Sequence, residues 1–216
     1  FLQRGFDQIF HDVCLMDLPV TFALDRGGIA GNDGWTHHGL FDYAYFRMFP
    51  NSIVMAPKDE NELQHMLATA VEQPHPTAVR YPRGNGIGVA LDAEFRQLPI
   101  GKAEVLRRGR HGLVWAVGST VYPALEAIER LAKEGIEVTL VNARFVKPLD
   151  RELLALQIEQ ASQAEGGARL ATVEEHSLAG GFGSAVLEAL SEMELAEVTT
   201  LTLGVPDKFV PHGSQE

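Results

Sequence analysis

Short, unbroken apolar runs alternate with longer stretches at helical spacing along the whole chain, and that alternation leaves few folds open. Val20-Thr21-Phe22-Ala23-Leu24, Ser52-Ile53-Val54-Met55-Ala56 and Thr77-Ala78-Val79-Arg80-Tyr81 have the length and β-branched content of strands buried on both faces. Between and before them the period changes. Leu2, Phe6, Ile9, Phe10 and Val13 predict an amphipathic helix over 2–16, and a short helix is expected over 40–47. Asp59 with Glu62 three residues on has capping-box spacing. It opens a helix whose buried stripe is Leu63, Met66, Leu67, Ala70 and Val71.

A second alternating series follows. Residues 84–100 contain Gly84, Gly86, Gly88 and Pro99 and show no sustained period, so they read as a connection. Strands are then expected over 112–118, 137–141, 169–173 and 198–203, and helices over 120–134, 150–161 and 184–190. The expectation is an α/β chain with two open, mostly parallel sheets and helices on both faces. Its units would be 1–88 and 101–216, with a linker over 89–100.

Charge and cysteine content narrow the function. The net charge is −11, from 18 Lys and Arg against 29 Asp and Glu, with no long basic run, which argues against nucleic acid as a partner. An anionic substrate must then be held by a few local arginines. No apolar run nears the roughly 18 residues that cross a bilayer, and Arg4 and Asp7 interrupt any apolar stretch at the start, so neither a membrane span nor a signal peptide is expected. Cys14 is the single cysteine, which excludes an internal disulfide and favours a reducing compartment. The chain opens at Phe1 inside helical periodicity and closes at Gln215-Glu216 without a terminator, and so reads as cut at both ends.

Parallel sheets bind ligands beyond the carboxyl ends of their strands. In the first unit those ends are Asp25-Arg26, the loop to Gly39, and residues 80–84. The loop Gly31-Asn32-Asp33-Gly34-Trp35-Thr36-His37-His38-Gly39 sets a carboxylate and two imidazoles between glycines, which suits proton transfer and close backbone approach to a ligand; it reads equally as a polar surface loop. A metal site of Asp33, His37 and His38 is not expected, because adjacent histidines seldom aim at one ion. Arg26, Arg80 and Arg83 would cluster at one sheet edge if their strands are neighbours, as a phosphate or carboxylate site needs. Cys14 reads as packing and His11 as solvent-facing. Glu174-Glu175-His176 before Gly180-Gly181-Phe182-Gly183 reads as a strand-to-helix turn; the glycines lack the spaced pattern of a dinucleotide site.

These segments together resemble the 1-deoxy-D-xylulose-5-phosphate synthases, thiamine-diphosphate enzymes of the transketolase type. The residues that carry the resemblance are Phe1-Leu2-Gln3-Arg4, Asp25-Arg26-Gly27-Gly28, the loop from Gly31 to Gly39, Phe41-Asp42, Met55-Ala56-Pro57 and Arg80-Tyr81-Pro82-Arg83-Gly84-Asn85. It continues through Asn142-Ala143-Arg144-Phe145-Val146-Lys147-Pro148-Leu149-Asp150, Thr172-Val173-Glu174-Glu175-His176 and Val205-Pro206-Asp207. The resemblance covers nearly the whole chain. It implies part of a pyrimidine-binding domain followed by a transketolase C-terminal domain, and a reaction joining pyruvate to D-glyceraldehyde 3-phosphate with loss of carbon dioxide. The product would serve isoprenoid precursor, thiamine and pyridoxal synthesis.

It further implies that Phe1 packs on the cofactor's aminopyrimidine ring with Arg4 nearby, that Asp33 and His37 face the reacting substrate, and that Arg26 and Arg83 hold the aldehyde's phosphate. Arg80, two residues before a proline, would brace the sheet instead. Mg²⁺ and the cofactor diphosphate would be bound by a domain preceding this chain, and the glutamate that activates the cofactor ring would lie just upstream of Phe1. On that reading the chain by itself is inactive and poorly soluble or oligomeric. A homodimer in the bacterial cytoplasm or the plastid is implied. Gly27 stands where the family reads alanine, and His38 where it often carries an amide. The competing readings are a transketolase, the β subunit of a 2-oxoacid dehydrogenase, and a non-catalytic dimerisation module; Tyr81-Pro82-Arg83-Gly84-Asn85 argues against the first two.

Overall fold

A computed structural model of the chain describes residues 2–163, 167–195 and 197–214. The N-terminal segment is helical but irregular: a 3-10 turn over Leu2–Gly5, an α-helical turn α1 over Phe6–Gln8 and a π-type stretch over Ile9–Cys14, where periodicity alone predicts one regular helix. Gly5 sits at the first junction, as expected of the residue with the weakest helix propensity after proline.

Three parallel strands follow the expected runs: β1 (Thr21–Leu24), β2 (Ile53–Met55) and β3 (Thr77–Arg80), with β3 in the middle. Helix α2 (Asp42–Arg47) and helix α3 (Glu60–Val71) connect them. The start of α3 shows why it forms there. The Asp59 carboxylate accepts from the Glu62 N–H at 2.7 Å, and the Glu62 carboxylate reaches back to the Lys58 N–H at 2.8 Å.

The second sheet runs β4 (Glu104–Arg107), β6 (Thr139–Asn142), β5 (Leu113–Ala116), β8 (Arg169–Ser177) and β9 (Thr199–Val205) across its width. It is parallel except at β4, and carries α4 (Val121–Lys133), α5 (Arg151–Ser162) and α6 (Phe182–Glu192). Two strands were not expected from the pattern. β4 is a half-buried antiparallel edge with no clean alternation. β7 (Phe145–Lys147) lies within the second unit in sequence but pairs antiparallel with β2, completing the first sheet.

The two units therefore share a sheet and a core. Tyr43, Phe46 and Val54 from the first pack in one cluster with Trp115, Val141 and Phe182 from the second. Glu62, 3 % exposed, adds a polar lock: it accepts from Asn142 Nδ2 at 2.9 Å and Arg144 Nε at 2.7 Å. Among the described residues no helix is long and apolar enough to cross a membrane.

Candidate active site

The register Leu24↔Arg80 sets the carboxyl ends of β1 and β3 side by side, so the loops leaving them run together. The Gly27 N–H donates to the Tyr81 carbonyl at 2.9 Å, and the loop beyond closes on itself where the Gly28 N–H donates to Gly39 O at 3.0 Å and the Gly39 N–H to Arg26 O at 2.9 Å. Arg26 has φ of 57°, a left-handed backbone that costs a non-glycine residue roughly 1–2 kcal/mol and is held here by those bridges.

This geometry brings three of the expected site residues together. Arg26 Nε donates to Asp33 Oδ2 at 2.8 Å, Arg26 Nη1 to Asp25 Oδ2 at 2.6 Å, and Arg83 Nη1 pairs with the other oxygen of Asp33. The Arg26 hydrogen bond, aided by the Arg83 charge, holds the Asp33 carboxyl below the ordinary aspartate range, so it stays ionised. Two guanidinium forks thus converge on one oxyanion, the arrangement that also suits a phosphate.

Beside this cluster is a cleft of about 190 Å³. Leu2, Leu24, Phe41 and Tyr45 form its apolar side; Asp25, Arg26, Thr36, His37 and His38 form its polar side. His37 Nδ1 lies 3.0 Å from Thr36 Oγ1. His38 is buried, and its Nδ1 accepts from the Ala30 N–H at 2.9 Å, which places the ring proton of the neutral imidazole on Nε2. That Nε2 has no hydrogen-bond partner among the described residues.

The remaining expectations sort as follows. Arg80 does not join the phosphate-type cluster: it turns inward, 3 % exposed, and its guanidinium donates to the Gly39 and Glu175 carbonyls, where the resemblance implies a brace of the sheet. Arg4 is exposed and stands outside the residues lining the cleft, and Phe1 lies outside the described residues. Cys14 is buried, which pushes its thiol pKa up, and His11 faces solvent beside Asp7. Glu174 binds the Phe182 and Gly183 N–H groups at 2.6 and 2.7 Å, so the glycine run is a strand-to-helix turn. Among the described residues no three His, Cys, Asp or Glu side chains gather as metal ligands. Sequence reasoning missed the contribution of Glu175, whose carboxylate reaches the Ile29 N–H at 2.8 Å from 146 positions away. No local pattern reports a contact over that separation.

Comparison with known proteins gives the family. Residues 1–87 match the transketolase pyrimidine-binding domain and residues 101–216 the transketolase C-terminal domain. The chain is 60 % identical over 215 residues to 1-deoxy-D-xylulose-5-phosphate synthase 1 of Geobacter metallireducens, covering 100 % of this chain and 33 % of that protein. It is 54 % identical over 213 residues to the 1-deoxy-D-xylulose-5-phosphate synthase of Halothermothrix orenii, covering 99 % and 32 %. It thus spans about a third of the length of the curated relatives it matches. Among solved structures, a split-gene transketolase described as an inactive β4 tetramer superposes with a TM-score of 0.78 at 32 % identity, over 95 % of this chain and 64 % of that one. From its pyrimidine-binding unit through its C-terminal unit, this chain belongs to the transketolase family.

Proposed function

We propose that the chain is part of a thiamine-diphosphate-dependent synthase that condenses pyruvate with D-glyceraldehyde 3-phosphate to 1-deoxy-D-xylulose 5-phosphate and carbon dioxide, for isoprenoid precursor, thiamine and pyridoxal synthesis. The observation that carries this reading is the convergence of Arg26 and Arg83 on Asp33 at the rim of a cleft that also presents His37. The names of the relatives point the same way.

The residues present suit the ring end of the cofactor. The cleft is ring-sized, apolar along Leu2, Phe41 and Tyr45, with Thr36, His37 and His38 on its polar side. Phe1 and Arg4 would border that ring. Bound thiamine diphosphate supplies the carbanion chemistry. The chain's own part is to bind and orient: Arg26 and Arg83 hold the aldehyde phosphate, His37 hydrogen-bonds the reacting oxygen, and Asp33 yields its guanidinium partners to the incoming phosphate while accepting from a substrate hydroxyl. Mg²⁺ and the diphosphate fall to the part of the relatives' length that this chain does not cover, so residues 1–216 alone would be inactive. Homodimer assembly is supported by the exposed Leu15, Met16 and Leu18, an apolar stretch suited to burial against another chain. The reading places the enzyme in the bacterial cytoplasm or the plastid.

In the full-length protein, Arg83→Ala removes one charge-assisted contact, worth about 1.5–3 kcal/mol. The KM for D-glyceraldehyde 3-phosphate should rise roughly tenfold or more, with cofactor affinity unchanged. Steady-state kinetics with each substrate varied checks this; an unaltered aldehyde KM would remove Arg83 from the phosphate site.

A further inference from the structure

We propose that Glu175 is a positioning residue through which the C-terminal unit sets the shape of the loop carrying Asp33, His37 and His38. Its carboxylate crosses between units: Oε1 accepts from the Ile29 N–H at 2.8 Å, and Oε2 accepts from Ser119 Oγ at 2.7 Å. The loop is built to admit it. Gly28 has φ of +83°, and a Cβ there would lie 2.3 Å from the Glu175 carboxyl carbon, so only glycine lets the carboxylate reach its target. The backbone of the same residue controls the loop's other end. Arg80 Nη2 donates both to the Glu175 carbonyl at 2.7 Å and to the Gly39 carbonyl at 2.6 Å. Gly28 and Gly39 pair with each other, so residue 175 ties down both ends of the loop at its neck. Arg26 and Asp33 lie on the loop that this neck closes, and Arg83 follows the end of the neighbouring β3, so the neck sets where Asp33 meets the two arginines. The C-terminal unit thereby shapes a site whose substrate-facing residues all lie in the pyrimidine-binding unit.

Glutamine at 175 keeps an acceptor for Ile29 and a donor for Ser119, whereas alanine removes both. The test uses the full-length protein carrying Glu175→Ala, Glu175→Gln or Ser119→Ala. In Glu175→Ala the amides of residues 28–39 should exchange hydrogen at least tenfold faster than in the parent, while those of β2 and β6 keep their rates. Glu175→Gln should restore parental exchange. Ser119→Ala, a smaller change, should accelerate the same amides several-fold, which tests the role even if alanine at 175 does not fold. Because the kinetic arm rests on the function proposed above, it is read separately: the KM for D-glyceraldehyde 3-phosphate should rise about tenfold in Glu175→Ala with the pyruvate KM little changed, and return in Glu175→Gln. Parental exchange over 28–39 in both Glu175→Ala and Ser119→Ala, or a glutamine variant as perturbed as the alanine one, overturns the proposal. A parent protein that makes no ketose phosphate contradicts the proposed function, and the exchange result still decides the role of Glu175.

Discussion

Arg80→Leu is expected to lower folding stability by about 3–5 kcal/mol, read as a fall in the urea midpoint with an unchanged slope. Arg80 is 3 % exposed, and every direction of its fork is used: Nε to Asp42 Oδ2 at 3.2 Å, Nη1 to the Tyr43 hydroxyl at 3.0 Å, and Nη2 to the Gly39 and Glu175 carbonyls. The guanidinium also lies over the Tyr43 ring, 4.4 Å from its centroid. Burial disfavours its charge, yet Asp42 and its neighbours carry the guanidinium pKa above its ordinary value, so the group stays charged inside. Leucine fills the space but abandons Asp42, itself buried, and two carbonyls. Removing one partner of a buried pair costs more than the pair contributes, so Arg80→Leu combined with Asp42→Leu should lose less than Arg80→Leu alone. A single-variant loss under about 1 kcal/mol, below the usual cost of an abandoned buried group, would show that water or another cation replaces Arg80 at Asp42.

The second large effect is on acid stability. His176 is fully buried, donates Nδ1–H to the Ser177 carbonyl at 2.7 Å and stacks on Tyr43 at 4.8 Å between ring centroids. Asp42, Arg80 and Glu174 are the charged groups around it. Burial pushes its pKa down to about 4. A histidine held below its unfolded value of about 6.5 gives stability that is complete above that pH and is lost as pH falls toward 4, some 3 kcal/mol in all. Glu174 works in the opposite sense. Burial, outweighing its two backbone donors, raises it to about 7, so its contribution is complete below about 4.5 and is lost as pH rises to 7. The two nearly offset each other in the parent. His176→Phe keeps a ring on Tyr43 but leaves Glu174 alone, so on going from pH 7 to pH 4 the variant should gain about 3 kcal/mol relative to the parent. Urea midpoints at the two pH values check this. An equal difference at both would mean that His176 titrates alike in the folded and unfolded chains.

Much of the fold was readable because the sequence states it locally. β1, β2 and β3 are short, largely apolar runs, and Asp59 and Asp150 cap α3 and α5 at the expected positions. Pattern grouped Arg26, Arg80 and Arg83 at one sheet edge on the condition that their strands are neighbours, which β1 and β3 are, and the resemblance singled out Arg26 and Arg83. The irregular turns of residues 2–14, the passage of β7 into the first sheet and the reach of Glu175 to Ile29 were not readable. Each depends on what the segment meets in space. The structure also separates Arg80 from the other two arginines and buries His38. Both belong to the polar set that pattern suggests, but Arg80 turns inward onto Asp42, Tyr43 and two carbonyls, and the Ala30 amide fixes His38 in one tautomer.

The most direct measurement is product formation from pyruvate and D-glyceraldehyde 3-phosphate with thiamine diphosphate and Mg²⁺, read by mass, using the full-length protein and residues 1–216 alone. The expected result is a five-carbon deoxyketose phosphate and carbon dioxide from the full-length protein and none from the isolated chain. A full-length protein that ignores pyruvate but transfers a two-carbon unit from a ketose phosphate would contradict the assigned reaction. Turnover by residues 1–216 alone would contradict the division of the site between this chain and the rest of the enzyme.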